Sequence, residues 1–136
     1  MESSPQVSEE ESWHLAYSVF IFTVQALASP AQEACEAMGS YNTAWELKDD
    51  AMAGSYLLGH GRLSPEQEMS VRHLLDKLSA VPVNDLPGGA GLAPNLTAMR
   101  HPSWEPVRAA AAALLAVLAP VTESSRAYLE SLGNAP

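Results

Sequence analysis

The sequence predicts an all-α fold: a compact bundle of five to six helices with one long Pro/Gly-rich loop. Three observations carry this. Helix-start patterns recur at Ser8/Glu11, Thr43/Glu46 and Ser64/Gln67, each a hydroxyl followed three residues later by Glu or Gln. Apolar residues recur at three- and four-residue spacing, and no segment alternates as a half-buried strand would. The chain has 136 residues, 47% of them hydrophobic, which is enough for one core without metal or disulfide.

Residues 1–7 read as a flexible tail, and 8–136 as a single helical domain. The first helix opens at Ser8 and runs to about residue 28. Trp13, Tyr17, Phe20, Val24 and Leu27 fall on one side, and Leu15, Val19, Phe22 and Ala26 on the other. A helix apolar on two faces is expected at the centre of its bundle, the rival being that one face meets a second chain. Ser29-Pro30 reads as the cap and first turn of a short second helix, which Gly39 ends. The third helix starts with Thr43 as cap and Glu46 completing a capping box. It is expected to reach Leu58, with Trp45, Met52 and Tyr56 on one stripe. The fourth opens at Ser64-Pro65 and buries Val71, Leu74, Leu75 and Leu78.

Residues 81–95, VPVNDLPGGAGLAPN, hold three prolines and three glycines. They read as a non-helical loop with few backbone bonds, followed by a helical turn near 96–100. A further helix starts near Ser103 or Trp104, and Pro120 is expected to stop it. The last helix spans about 122–132, closed by Gly133. Trp13, Trp45 and Trp104 are expected in the core, where an exposed one beside acidic groups would be a binding anchor.

Charge is distributed unevenly. The first 47 residues contain no lysine or arginine and hold seven acids: Glu2, Glu9, Glu10, Glu11, Glu33, Glu36 and Glu46. The remaining 89 carry nine acids against seven bases, so most of the formal charge of −9 lies in the N-terminal third. Such a surface attracts cationic partners and argues against nucleic acid or anionic membrane, which require clustered Lys and Arg. The apolar stretch 15–28 is shorter than the roughly 20 residues of a membrane span, and the start is acidic where a signal peptide is basic. The expectation is a cytoplasmic protein. A single cysteine, Cys35, excludes an internal disulfide.

Five acids stand out as a partner-binding patch: Glu33 and Glu36 on the second helix, and Glu46, Asp49 and Asp50 on the third. Spacing of three and four places each group on one helix face. They can orient a basic partner, or they can be a solvated face in which Glu46 serves as a cap. No cofactor or metal is expected: His14, His60, His73 and His101 share no ligand spacing, and C-x-x-C and H-E-x-x-H are absent. Cys35, flanked by Ala34 and Glu36, reads as a buried small residue, not a nucleophile. No catalytic residue is assigned, and the chain is not expected to be an enzyme.

The stretch Tyr41-Asn42-Thr43-Ala44-Trp45-Glu46-Leu47-Lys48-Asp49-Asp50, the start Leu63-Ser64-Pro65-Glu66-Gln67 and the Trp104…Arg108 element resemble, in layout and composition, the small acidic helical immunity proteins of bacterial polymorphic-toxin systems. The resemblance implies a cytoplasmic protein that binds a cognate toxin, in many cases a basic nuclease, and blocks its active site. No catalytic residue carries over.

The leading expectation is thus an acidic protein that docks to and neutralises a basic protein partner. One alternative is a structural or regulatory homo-oligomer, a homodimer through the first helix. Another is an enzyme with an unrecognised site around His60, His101 and the 81–95 loop.

Overall fold

The computed structural model describes residues 8–133. The expected tail at 1–7 lies outside the described residues. Six α-helices follow one another, α1 Glu9–Ala28, α2 Ala31–Met38, α3 Thr43–Met52, α4 Pro65–Ser79, α5 Leu92–Met99 and α6 Trp104–Gly133. Two 3-10 segments, Ala53–Leu57 and Val83–Asp85, interrupt them. Among the described residues there is no strand, only one isolated bridge between Tyr41 and Ala90.

The long helices α1 and α6 form the most extensive pairing, and α4 packs on the first half of α6. The shorter α2, α3 and α5 pack on one another, and α2 and α3 also pack on α1. The core draws Trp13, Tyr17, Phe20 and Val24 from α1, Leu47 from α3, Leu74 and Leu78 from α4, and Trp104, Leu114 and Leu118 from α6.

Helix starts that depend on their own side chains form as the sequence predicts. Ser8 Oγ accepts the Glu11 N–H at 3.0 Å. Ser64 and Gln67 form a reciprocal capping box, at 3.1 and 2.8 Å. Two other starts differ. Ser29 ends α1, its hydroxyl donating to the Gln25 carbonyl, and Pro30 occupies the N-cap of α2. Thr43 is the first residue of α3, not its cap. Asn42, left-handed at φ 46°, precedes it without a side-chain cap bond, so Glu46 completes no box.

α3 yields to the 3-10 segment at Ala53, short of the expected Leu58. Gly54 lies against the Phe20 ring, in space a Cβ would occupy. The Trp13 indole N–H donates to the Leu57 carbonyl at 3.2 Å. α1 thus dictates the path of the chain leaving α3.

Pro120 does not stop a helix. α6 runs through it for 30 residues. Pro120 has no N–H and leaves one carbonyl without its usual donor, a cost of about 3 kcal/mol in a helix interior. Contacts from α1 on both sides of the proline offset it. Tyr17 Oη donates to the Leu118 carbonyl at 3.3 Å and lies 2.8 Å from Thr122 Oγ1. His14 Nδ1 lies 2.6 Å from the Ser125 hydroxyl, and its ring packs on Tyr128 at 4.4 Å. The uninterrupted α6 is also, by length and composition, apolar enough to cross a membrane, with a mean hydropathy of 1.4 in its best window. One such helix is weak evidence for a span, since the core helix of a soluble protein passes the same test.

The central position expected for α1 is likewise corrected. One side is buried, but Leu15, Val19 and Phe22 are 44%, 61% and 51% exposed. The loop expected at 81–95 is shorter and more ordered than its composition implies. Val83–Asp85 is a 3-10 turn, and α5 starts at Leu92 with Pro94 in its first turn, where a missing N–H costs no helical bond.

Candidate functional site

α2 buries Ala34 and Cys35 and leaves Glu33 and Glu36 exposed. Glu36 accepts a bond from Gln32 Nε2 at 3.3 Å. Burial pushes the Cys35 thiol up, the opposite of what a thiolate nucleophile needs.

α3 buries Thr43, Ala44, Leu47 and Ala51, a stripe of mostly small residues at four-residue spacing. That choice turns Trp45, Asp49 and Met52 outward together, since they too are four and three apart. Trp45 is 50% exposed, which corrects the expectation that it belongs to the core, and Met52 and Tyr56 are exposed with it. Asp50 is exposed beside Asp49, and Glu46 is half-buried. Partial burial, and then the charge of Asp49, raise the Asp50 carboxyl above its ordinary range. The two carboxylates sense each other, as they do where no cation lies between them.

Lys48, the one base on α3, turns away from these acids. Its ammonium donates to the Val81 carbonyl at 2.9 Å and to the Ser79 carbonyl at 3.5 Å, tying α3 to the end of α4. Among the described residues no ion pair engages Glu33, Glu36, Glu46, Asp49 or Asp50. Further toward the N-terminus, Glu10 meets Arg62 at 3.6 Å.

A cleft of about 350 Å³ opens beside Trp45, walled by Asn42, Val83, Asn84, Leu86 and Pro87. Its wall is held in place by two asparagines. Asn42 Oδ1 accepts the Gly89 N–H at 2.6 Å. The fully buried Asn95 accepts the Thr43 N–H, and its amide nitrogen lies within 3.0 Å of the carbonyls of Ser40, Gly89 and Gly91. The Asn42 N–H donates to Gly89 and the Gly91 N–H to Ser40, both at 3.0 Å. The segment after α4 therefore has the backbone bonds that its glycines and prolines argued against. Neither asparagine is visible as a structural hub from the sequence, because each acts on residues about 50 positions away.

Glu46, Asp49 and Asp50 share one helix, Glu33 and Glu36 another, and no hydrogen bond recorded among the described residues joins the two groups. His60 is exposed and tilts against Tyr56 at 5.0 Å. His101 Nδ1 lies 2.7 Å from the Ser103 hydroxyl and accepts the Ser103 N–H at 3.1 Å, so it shapes the entry to α6. Among the described residues no three His, Cys, Asp or Glu side chains converge as metal ligands. No family model, curated protein or solved structure matches the chain.

Proposed function

We propose that this chain is an acidic protein-binding module whose α3 face docks a basic protein partner. The observation that carries this reading is the exposure of Trp45 on the same stripe as Asp49, next to a cleft with a fixed wall. A half-exposed tryptophan leaves a large apolar surface in water unless a partner covers it. Beside carboxylates with no internal counter-ion it can take a cationic side chain against its ring while the acids pair with the charge. Glu33 and Glu36 on α2 would extend the attraction and speed encounter.

The finer reading is that the partner is a toxin and the chain its immunity protein, acting in the cytoplasm. It rests on the layout and acidity of 41–50, 63–67 and 104–108 alone. It has no catalytic machinery to account for, since such a protein works by covering a site.

The test is co-expression with the product of the adjacent gene. A basic toxin there should be bound and its growth arrest relieved. Binding should weaken as salt rises. Reversing Glu46, Asp49 and Asp50 to lysine should abolish both effects while the helical signal is retained. A triple variant that binds and protects as well as wild type would remove α3 as the site.

A further inference from the structure

We infer that the exposed face of α1, with the groove beside it, is a self-association surface whose occupant is a second copy of this chain. Leu15, Val19 and Phe22 are spaced four and three apart, as along one seam of a coiled coil. They form a ridge 44–61% exposed on an otherwise well-buried helix. Alongside it, between α1 and the second half of α6, runs a groove of about 410 Å³. Ile21, Phe22 and Leu129 supply apolar lining, with Ser18 and Gln25 on its α1 side. Ridge and groove are parallel neighbours on one molecule. Two copies related by a twofold axis can each lay the ridge into the other's groove, a self-complementary closed arrangement.

Charge on this face disfavours a basic partner. No ionisable acid or base other than buried His14 and Tyr17 lies between Ser12 and Gln32, on a chain of net charge −9. Beyond the first turn of α1, where Glu9, Glu10 and Glu11 lie, a basic partner finds no counter-charge on this helix. On the α6 side Arg126 is already paired with both Glu123 and Glu130 of its own helix. A neutral apolar face fits another neutral apolar face, and the same face on a second copy is one.

Size sets the strength. The 20-residue helix α1 is about 30 Å long. A strip of that length and one helix diameter wide, about 10 Å, is well under the roughly 800 Å² that each partner buries in a standard interface. The dimer is therefore weak and reversible.

Sedimentation equilibrium from about 1 to about 300 μM tests this. The mass should rise from 14.5 kDa toward twice that value. Val19→Glu places a charge at the centre of the ridge and should raise the dissociation constant at least tenfold. Leu15→Gln is a gentler second variant with a change in the same direction. Both positions are exposed, and circular dichroism should show an unchanged helix signal. Added salt should strengthen the dimer, because two copies of −9 repel. A wild type that stays monomeric throughout overturns the inference. So does a dimer that survives Val19→Glu, or one that salt weakens. The variants leave α3 intact, so failure here is distinct from failure of basic-partner docking.

Discussion

Asn95 accepts the backbone N–H of Thr43 at 2.8 Å, joining the start of α3 to a side chain 52 residues later. A helix N-terminus normally finds its cap in the residue just before it. Here the cap comes from α5, and the same amide group holds the carbonyls of Ser40, Gly89 and Gly91. One buried side chain therefore sets the direction of α3 and the position of the wall beside Trp45.

Asn95→Ala should be costly. It strands the buried Thr43 N–H and removes donors from several carbonyls, a loss of about 3 kcal/mol. Urea denaturation should show a lower midpoint with an unchanged slope. An effect under about 0.5 kcal/mol, the size expected for an ordinary surface substitution, would mean that the hub is not formed.

Gly54→Ala should destabilise the protein by about 1–3 kcal/mol, because the added methyl meets the Phe20 ring. Pairing it with Phe20→Leu should recover part of the loss. Non-additivity in that double-mutant cycle is the measurement that identifies the contact.

Pro120→Ala should raise stability by about 1–2 kcal/mol. The restored N–H re-forms a helical bond, and the greater freedom of the unfolded chain offsets part of the gain. Thermal melts check the sign. A loss of stability would mean that α6 bends at Pro120 to fit α1.

Trp45→Ala should separate stability from binding. The side chain is half exposed, so the midpoint of unfolding should shift little, whereas partner affinity should fall at least tenfold, as for an aromatic anchor. Titration calorimetry with the basic partner, beside a thermal melt, reads both.

His14 should make stability depend on pH. Burial, and then the nearby Arg62, lower its pKa below the ordinary 6.5, with Glu10 opposing. The folded state keeps the ring neutral, so the unfolded state binds more protons as pH falls. The contribution is complete above about pH 6.5 and is lost progressively below it as the unfolded ring protonates. His14→Gln should flatten that part of the stability–pH curve. An unchanged curve would place the titration elsewhere.

Two kinds of information separate cleanly in this protein. The fold class and the two helix starts capped by their own side chains were legible in the sequence. Ser8 and Ser64 cap helices with their own hydroxyls, an interaction complete within four residues and independent of the rest of the fold. The acidic excess was legible too, because charge is a sum over residues.

Three features were decided by the tertiary structure. Pro120 can end a helix or sit inside one, and Tyr17 and His14 on α1 decide for continuity by holding α6 on both sides of it. α3 carries two candidate core stripes. Thr43, Ala44, Leu47 and Ala51 won over Trp45, Met52 and Tyr56 because small residues let a short helix approach its neighbours closely, and the larger side chains were left in water. Residues 92–95 join the helical turn expected near 96–100, against their loop-like composition, because Asn95 and Met99 have a buried place among α2 and α3. In each case the local sequence allows two conformations, and the surface offered by a distant element supplies the free-energy difference between them.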